Sequence, residues 1–157
     1  MRRVALLLPW LLVAGTACQR PTDRGTTAPP MTTITPDAPL RNTRWVLRQV
    51  GSQPMSETFT EGQEPFLFIS GSGTAEGQGG CNRFRGGLKP VTDDGELQFE
   101  PILSTRIACP ALDTEQAFTQ ALDATRAYRI TGNTLMLYNN PQRSGDPVAQ
   151  FEAVFLR

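Results

Sequence analysis

The chain has 157 residues, room for one domain, and its 15 Lys and Arg balance 15 Asp and Glu at a formal net charge of +0. That balance argues against nucleic-acid binding, which needs a cationic excess to displace counterions from phosphates. The absence of His and the presence of only 3 Cys exclude a Ser-His-Asp triad, a Cys-His pair, a His-ligated metal and a four-thiolate zinc site. The composition points away from an enzyme and calls for no cofactor.

Residues 1–17 read as a secretory signal peptide. Arg2 and Arg3 form a charged start, and Val4 to Val13 an apolar run broken only by Pro9. Ala14 to Ala17 supply the small residues a signal peptidase requires. The apolar run is shorter than the roughly 20 residues a membrane span needs. Cys18 follows directly. Small residues before a Cys at this place resemble the lipobox of bacterial lipoproteins, although Gly15 stands where Leu is usual. Acylation of Cys18 would also account for an odd thiol in an exported chain with 3 Cys. Gln19, rather than Asp, resembles the class sorted to the outer membrane. The expectation is an outer-membrane lipoprotein facing the periplasm, with a soluble periplasmic protein as the alternative. Loss of Arg2 and Arg3 would leave 13 basic against 15 acidic residues, so attachment would rest on the acyl chains.

Residues 18–39 carry five Pro and six Thr and almost no large apolar side chain. Such a segment cannot bury enough surface to offset its ordering entropy, and it is expected to be a disordered tether. At about 3.3 Å per residue its upper reach is on the order of 70 Å. The domain is expected from Leu40 to Arg157.

Within it, Thr43 to Val50 alternates, with Trp45 and Leu47 on one face, as a strand does. Residues 51–64 are polar and predict a loop. Pro65 to Ser70 predicts a strand with Phe66 and Phe68 on one face, closed by a Gly71-Ser72-Gly73 turn, and Thr74 to Gln78 a returning strand. Asp93-Asp94-Gly95 is a turn before a strand from Glu96 to Phe99. Pro110 suits the start of a helix over 111–126, with Asp113 or Glu115 complementing its dipole. Leu112 (or Glu115), Phe118, Ala121, Leu122 and Thr125 recur at spacings of three and four on one face. Tyr128 with Ile130, the turn at 131–133, and Leu135 with Leu137 form a hairpin. Val148 to Leu156 is the last strand, with Phe151, Ala153 and Phe155 on one face. Seven or eight short strands with tight turns and one helix predict an α+β fold: an antiparallel sheet curled into an incomplete barrel and packed against the helix.

Two segments carry the densest patterning: GGCNRFRG at 79–86 and STRIACP at 104–110. In an exported domain Cys81 and Cys109 read first as a disulfide, closing a loop for which chain entropy gives roughly 3 to 4 kcal/mol. The alternative is a reactive thiol activated by Arg83, Arg85 or Arg106, but the spacing is not C-x-x-C and no His can serve as base. Gly71 to Gly80 lacks the Lys-Ser/Thr of a phosphate loop. Asp93, Asp94 and Glu96 lack the ligand spacing of a calcium loop. Ser104 and Lys89 are not placed together by any feature of the sequence.

The joint pattern of Gly80-Cys81-Asn82-Arg83-Phe84-x-Gly86 and Ser104-Thr105-Arg106-x-x-Cys109-Pro110 closely resembles the META domain family of HslJ-like envelope and heat-shock lipoproteins. The resemblance runs from Leu40 to Arg157. It implies a small antiparallel sheet curled into an incomplete barrel around one helix. It implies a part in stress tolerance and envelope maintenance, with no established reaction and no catalytic, cofactor or metal residue. The matched positions are then expected to be architectural. Asn82 is expected to adopt left-handed backbone or cap a turn. Arg83 or Arg106 is expected to pair with a carboxylate or bind carbonyls. Ser104 is expected to cap or turn the backbone, and Phe84 to join the core.

The function expected is that of a non-enzymatic envelope lipoprotein acting through protein contacts. Its partners are the membrane, through lipid on Cys18, and an envelope protein. Two alternatives are a carrier for a small apolar ligand between sheet and helix, and an inhibitor or adaptor presenting Arg83 to Arg85 to an acidic partner.

Overall fold

The fold is that of a computed structural model, described over residues 36–55, 59, 63–90 and 94–155. The signal peptide, Cys18 and most of the expected tether lie outside these residues. The chain forms β1 (Arg44–Val50), β2 (Gln53–Pro54), β3 (Phe66–Ile69), β4 (Thr74–Gln78), β5 (Arg83–Gly87) and β6 (Leu103–Ser104). Helix α1 (Leu112–Ala124) follows, then β7 (Ala127–Thr131), β8 (Thr134–Tyr138) and β9 (Ala149–Val154). All strands pair antiparallel in the order β6-β5-β4-β3-β1-β9-β8-β7, with β2 added to β1.

The sheet curls but does not close. The gap is spanned by residues 96–99, through isolated bridges Leu88–Phe99, just past β5, and Glu96–Ala127, on β7. This stretch was expected to be a strand. Leu97 and Phe99 do share a buried face, but single bridges at its two ends replace a continuous ladder. The polar stretch expected as a loop after β1 contains the two-residue β2, which turns back on Gln49 and Val50.

The inner face of the sheet carries Trp45, Leu47, Leu67, Ile69, Leu135, Leu137 and Phe151, all essentially inaccessible. Phe118 of α1 lies between the two halves of the curl. Its ring meets Phe84 edge-on at 5.5 Å and Phe151 at 5.6 Å. Burying these rings together is the main apolar gain of the fold, about 1.5 to 3 kcal/mol for each large side chain. The Trp45 indole N–H is not left unpaired: it donates to the Leu40 carbonyl at 3.0 Å.

Burial assigns the faces of β3 and β9. Phe66 and Phe68 share a face, but it is the outer one, half-buried; Leu67 and Ile69 between them form the core. Sequence periodicity fixes which residues go together and leaves open which set goes inward. Phe155 follows the end of β9 and is 58% exposed, rather than continuing the face of Phe151 and Ala153.

The ordered domain also begins before Leu40. Ala38 is buried, its N–H donates to the Gly132 carbonyl at 2.8 Å, and Asp37 accepts from the Gly132 N–H at 2.6 Å. Composition assigned these residues to the tether. The β7–β8 turn supplies their partners, which no local pattern reveals.

Candidate functional site

The two dense segments meet at the start of the helix. Cys81 and Cys109 are joined by a disulfide, with their Cα atoms 5.6 Å apart and a sequence separation of 28. Beside it, Asn82 is almost fully buried and satisfied at every position of its amide. Its Oδ1 accepts from the Thr105 hydroxyl at 2.7 Å and the Ile107 N–H at 2.7 Å. Its Nδ2 donates to the Ile107 carbonyl at 2.9 Å and to Glu115 Oε1 at 2.8 Å. An amide offers two acceptor sites and two donors, and all four are used.

Glu115 completes the cluster from α1. Its Oε2 accepts the backbone N–H groups of Cys81 at 3.0 Å and Asn82 at 2.6 Å. The carboxylate is buried against the backbone of 79–82. The neighbouring glycines make this approach possible. A Cβ on Gly79 would lie 2.6 Å from Glu115 Cγ. Gly80 has φ +129°, a conformation side-chain-bearing residues rarely adopt, and a Cβ there would lie 3.2 Å from that of Ala111. Pro110 ends the second segment, and Ala111 begins the helix without a side-chain cap.

Several expected roles change in detail. Asn82 is not in the left-handed region; Gly80 is the residue with positive φ, and Asn82 acts through its side chain. Neither Arg83 nor Arg106 forms an ion pair among the described residues, where the pair present joins Arg48 to Glu152 at 2.8 Å. Both Arg side chains point to solvent because they stand on an outer strand face and an exposed loop. Ser104 donates to the adjacent Thr105 carbonyl at 3.0 Å. Phe84 is buried against Phe118, while Gly86 packs near Ile102. Glu115 was seen in the sequence only as a dipole partner or a member of the helix face. The signal for more was there: it lies three residues before Phe118 and seven before Leu122, so a carboxylate occupies the apolar arc.

A groove of about 1110 Å³ lies on the outer face of the sheet, and no residue of α1 lines it. The space between sheet and helix is instead filled by Trp45, Phe118, Leu122 and Phe151. The rows on the outer face follow from the register. One runs Val154, Arg44, Phe68, Glu76, Arg85, Leu103, each opposite the next on the neighbouring strand. A second runs Val46, Phe66, Gln78, Arg83. The Arg44 guanidinium lies over the Phe66 ring, 3.5 Å from its centre.

The chain is similar to two solved solution structures. One protein is 22% identical over 72% of this chain and 90% of its own, with a TM-score of 0.54. The other, from Burkholderia xenovorans, is 27% identical over 73% of this chain and 83% of its own, with a TM-score of 0.51. Both show the same fold. No curated protein matches the chain. The family model for the META domain matches residues 38–155, which spans the whole sheet, the helix and the Asn82–Glu115 cluster. The chain belongs to the META domain family.

Proposed function

We propose that this META domain protein is a non-enzymatic lipoprotein of the bacterial envelope, held at the periplasmic side of the outer membrane by acyl chains on Cys18. Its role is in envelope maintenance and stress tolerance, exercised by binding and not by turnover. One observation carries the reading: the buried polar side chains of the Asn82–Glu115 cluster are occupied in holding the fold. Asn82 has every hydrogen-bonding position of its amide engaged, both Glu115 carboxylate oxygens accept hydrogen bonds from Cys81 and Asn82, and both thiols of the pattern are in a disulfide. A general acid or base must instead be free to reach a substrate proton.

The test is made in cells. The full chain is labelled with an alkyne-bearing fatty acid and the envelope is fractionated, alongside Cys18→Ser. The label should follow the chain into the outer-membrane fraction and vanish in the variant. Deletion of the gene should lower survival under heat or envelope stress, with rescue by the wild-type chain and not by Cys18→Ser. An unlabelled chain in the soluble periplasmic fraction that rescues fully would overturn the anchored reading.

A further inference from the structure

The outer-face groove shares Thr105 with the Asn82–Glu115 cluster but is lined by neither Asn82 nor Glu115, and it does not depend on any lipid on Cys18. Its charges are three arginines, Arg44, Arg83 and Arg85, against the single carboxylate Glu76. This is a local excess of two positive charges in a chain whose formal net charge is +0. Glu76 stands directly opposite Arg85 in the ladder, yet none of the four takes part in an ion pair among the described residues. Arg83 and Arg85 alternate on β5, so both guanidiniums project from the same face.

The rest of the groove is apolar in a patterned way. Phe66 and Phe68 form part of its floor, half-buried on the outer face of a strand whose other face is core. Leu103, 77% exposed, stands at the β6 rim, and Phe155, 58% exposed, at the β9 rim. Leu103 ends the cross-strand row that begins at Val154, the residue before Phe155, and within that six-strand row Phe68 stands among Arg44, Glu76 and Arg85, so apolar and charged side chains share the groove. Four large apolar side chains, Phe66, Phe68, Leu103 and Phe155, therefore line one groove, and apolar surface gathered in a groove with a polar rim marks a binding surface.

We infer that this groove binds a monomeric single-chain anionic amphiphile, with the alkyl chain along Phe66, Phe68 and a rim residue and the anionic head on Arg83 and Arg85. The charges fit an anion, because guanidinium presents paired donors to carboxylate or phosphate oxygens. The groove's volume lies just above the range of about 300 to 1,000 Å³ for small-molecule sites, enough to take one such molecule whole. Arg44 is committed to the Phe66 ring and extends the apolar floor with its stem. The inference stands on the groove alone and holds whether or not the chain is anchored by lipid.

Isothermal titration calorimetry tests it on the full chain carrying Cys18→Ser, exported and free of detergent. Dodecyl phosphate and dodecyltrimethylammonium, both below their micelle concentrations, are the probes. Dodecyl phosphate should bind one to one, at least about tenfold more tightly than the ammonium, as one charge-assisted contact implies. Arg83→Gln with Arg85→Gln should weaken dodecyl phosphate about tenfold or more and should not weaken the ammonium, whose repulsion it relieves. Arg48→Gln, outside the groove, should change neither. Near-ultraviolet circular dichroism should match wild type in every variant, since these side chains support no buried contact. Equal affinity for the two probes, or undiminished phosphate binding by the double variant, would overturn the inference. Binding only to phosphatidylglycerol vesicles would assign the face to a membrane, and self-association abolished by Phe68→Ser would assign it to a second copy; either overturns it.

Discussion

Glu115 holds Asn82 from two sides: Oε2 accepts its backbone N–H at 2.6 Å while Oε1 accepts its side-chain Nδ2 at 2.8 Å. One helical carboxylate thereby fixes both the main chain and the side chain of a residue 33 positions away. Asn82 in turn grips Thr105 and Ile107, and the disulfide fastens the same two segments one residue before Asn82 and two residues after Ile107. The helix, the β4–β5 turn and the loop after β6 are joined at this point.

Exchanging the amide for a carboxylate should break that grip. Asn82→Asp removes two donors at nearly constant volume and sets a second carboxylate against Glu115. A loss of about 3 to 5 kcal/mol in unfolding free energy is expected, because a buried charge is left facing a like charge. Adding Glu115→Gln should recover part of the loss by returning a donor to the contact. Urea unfolding of the three variants checks both statements.

The disulfide should contribute separately. Cys81→Ser or Cys109→Ser is expected to lower stability by roughly 2 to 5 kcal/mol. Wild-type protein should show a lower denaturation midpoint after reduction, and the Ser variants should show no change with reductant.

Gly80 offers a backbone test. Gly80→Ala forces a side chain into φ +129° and against Ala111. A loss of about 1 to 3 kcal/mol is expected from the strained backbone. Gly132→Ala is the comparison: its φ is +57° with open space around the position, so the loss there should be smaller. Thermal unfolding of the pair distinguishes them.

Phe118→Ala tests the apolar side of the same helix. It removes a ring that contacts both Phe84 and Phe151 and is wholly buried. The expected loss is about 3 to 5 kcal/mol. In contrast, Arg48→Gln should change stability by less than about 1 kcal/mol, since its pair with Glu152 is exposed on both sides.

Much of this fold was legible in the sequence because its signals are local. Trp45 with Leu47, the turn at 131–133 and the spacing of Phe118, Ala121 and Leu122 each announce an element within a few residues. The family pattern located the cluster but not its chemistry. Glu115 was hidden because its role comes from partners 33 and 34 residues earlier, and a carboxylate in a first helical turn has a sufficient local explanation in the dipole. The groove was hidden for a related reason. Alternation grouped Phe66 with Phe68, but only the register of five strands shows that Arg44, Arg85 and Leu103 join Phe68 on the outer face. The strand β6 itself is two residues long and carries no periodic signal.

The central claim is that the family pattern serves the fold through the Asn82–Glu115 contact. A double-mutant cycle of Asn82→Ala and Glu115→Ala on unfolding free energy tests it most directly. The account expects each single variant to lose about 2 to 4 kcal/mol and the pair to lose less than the sum, with a coupling of about 1 to 3 kcal/mol. Losses that add to within about 0.5 kcal/mol, or single variants as stable as wild type, would contradict it.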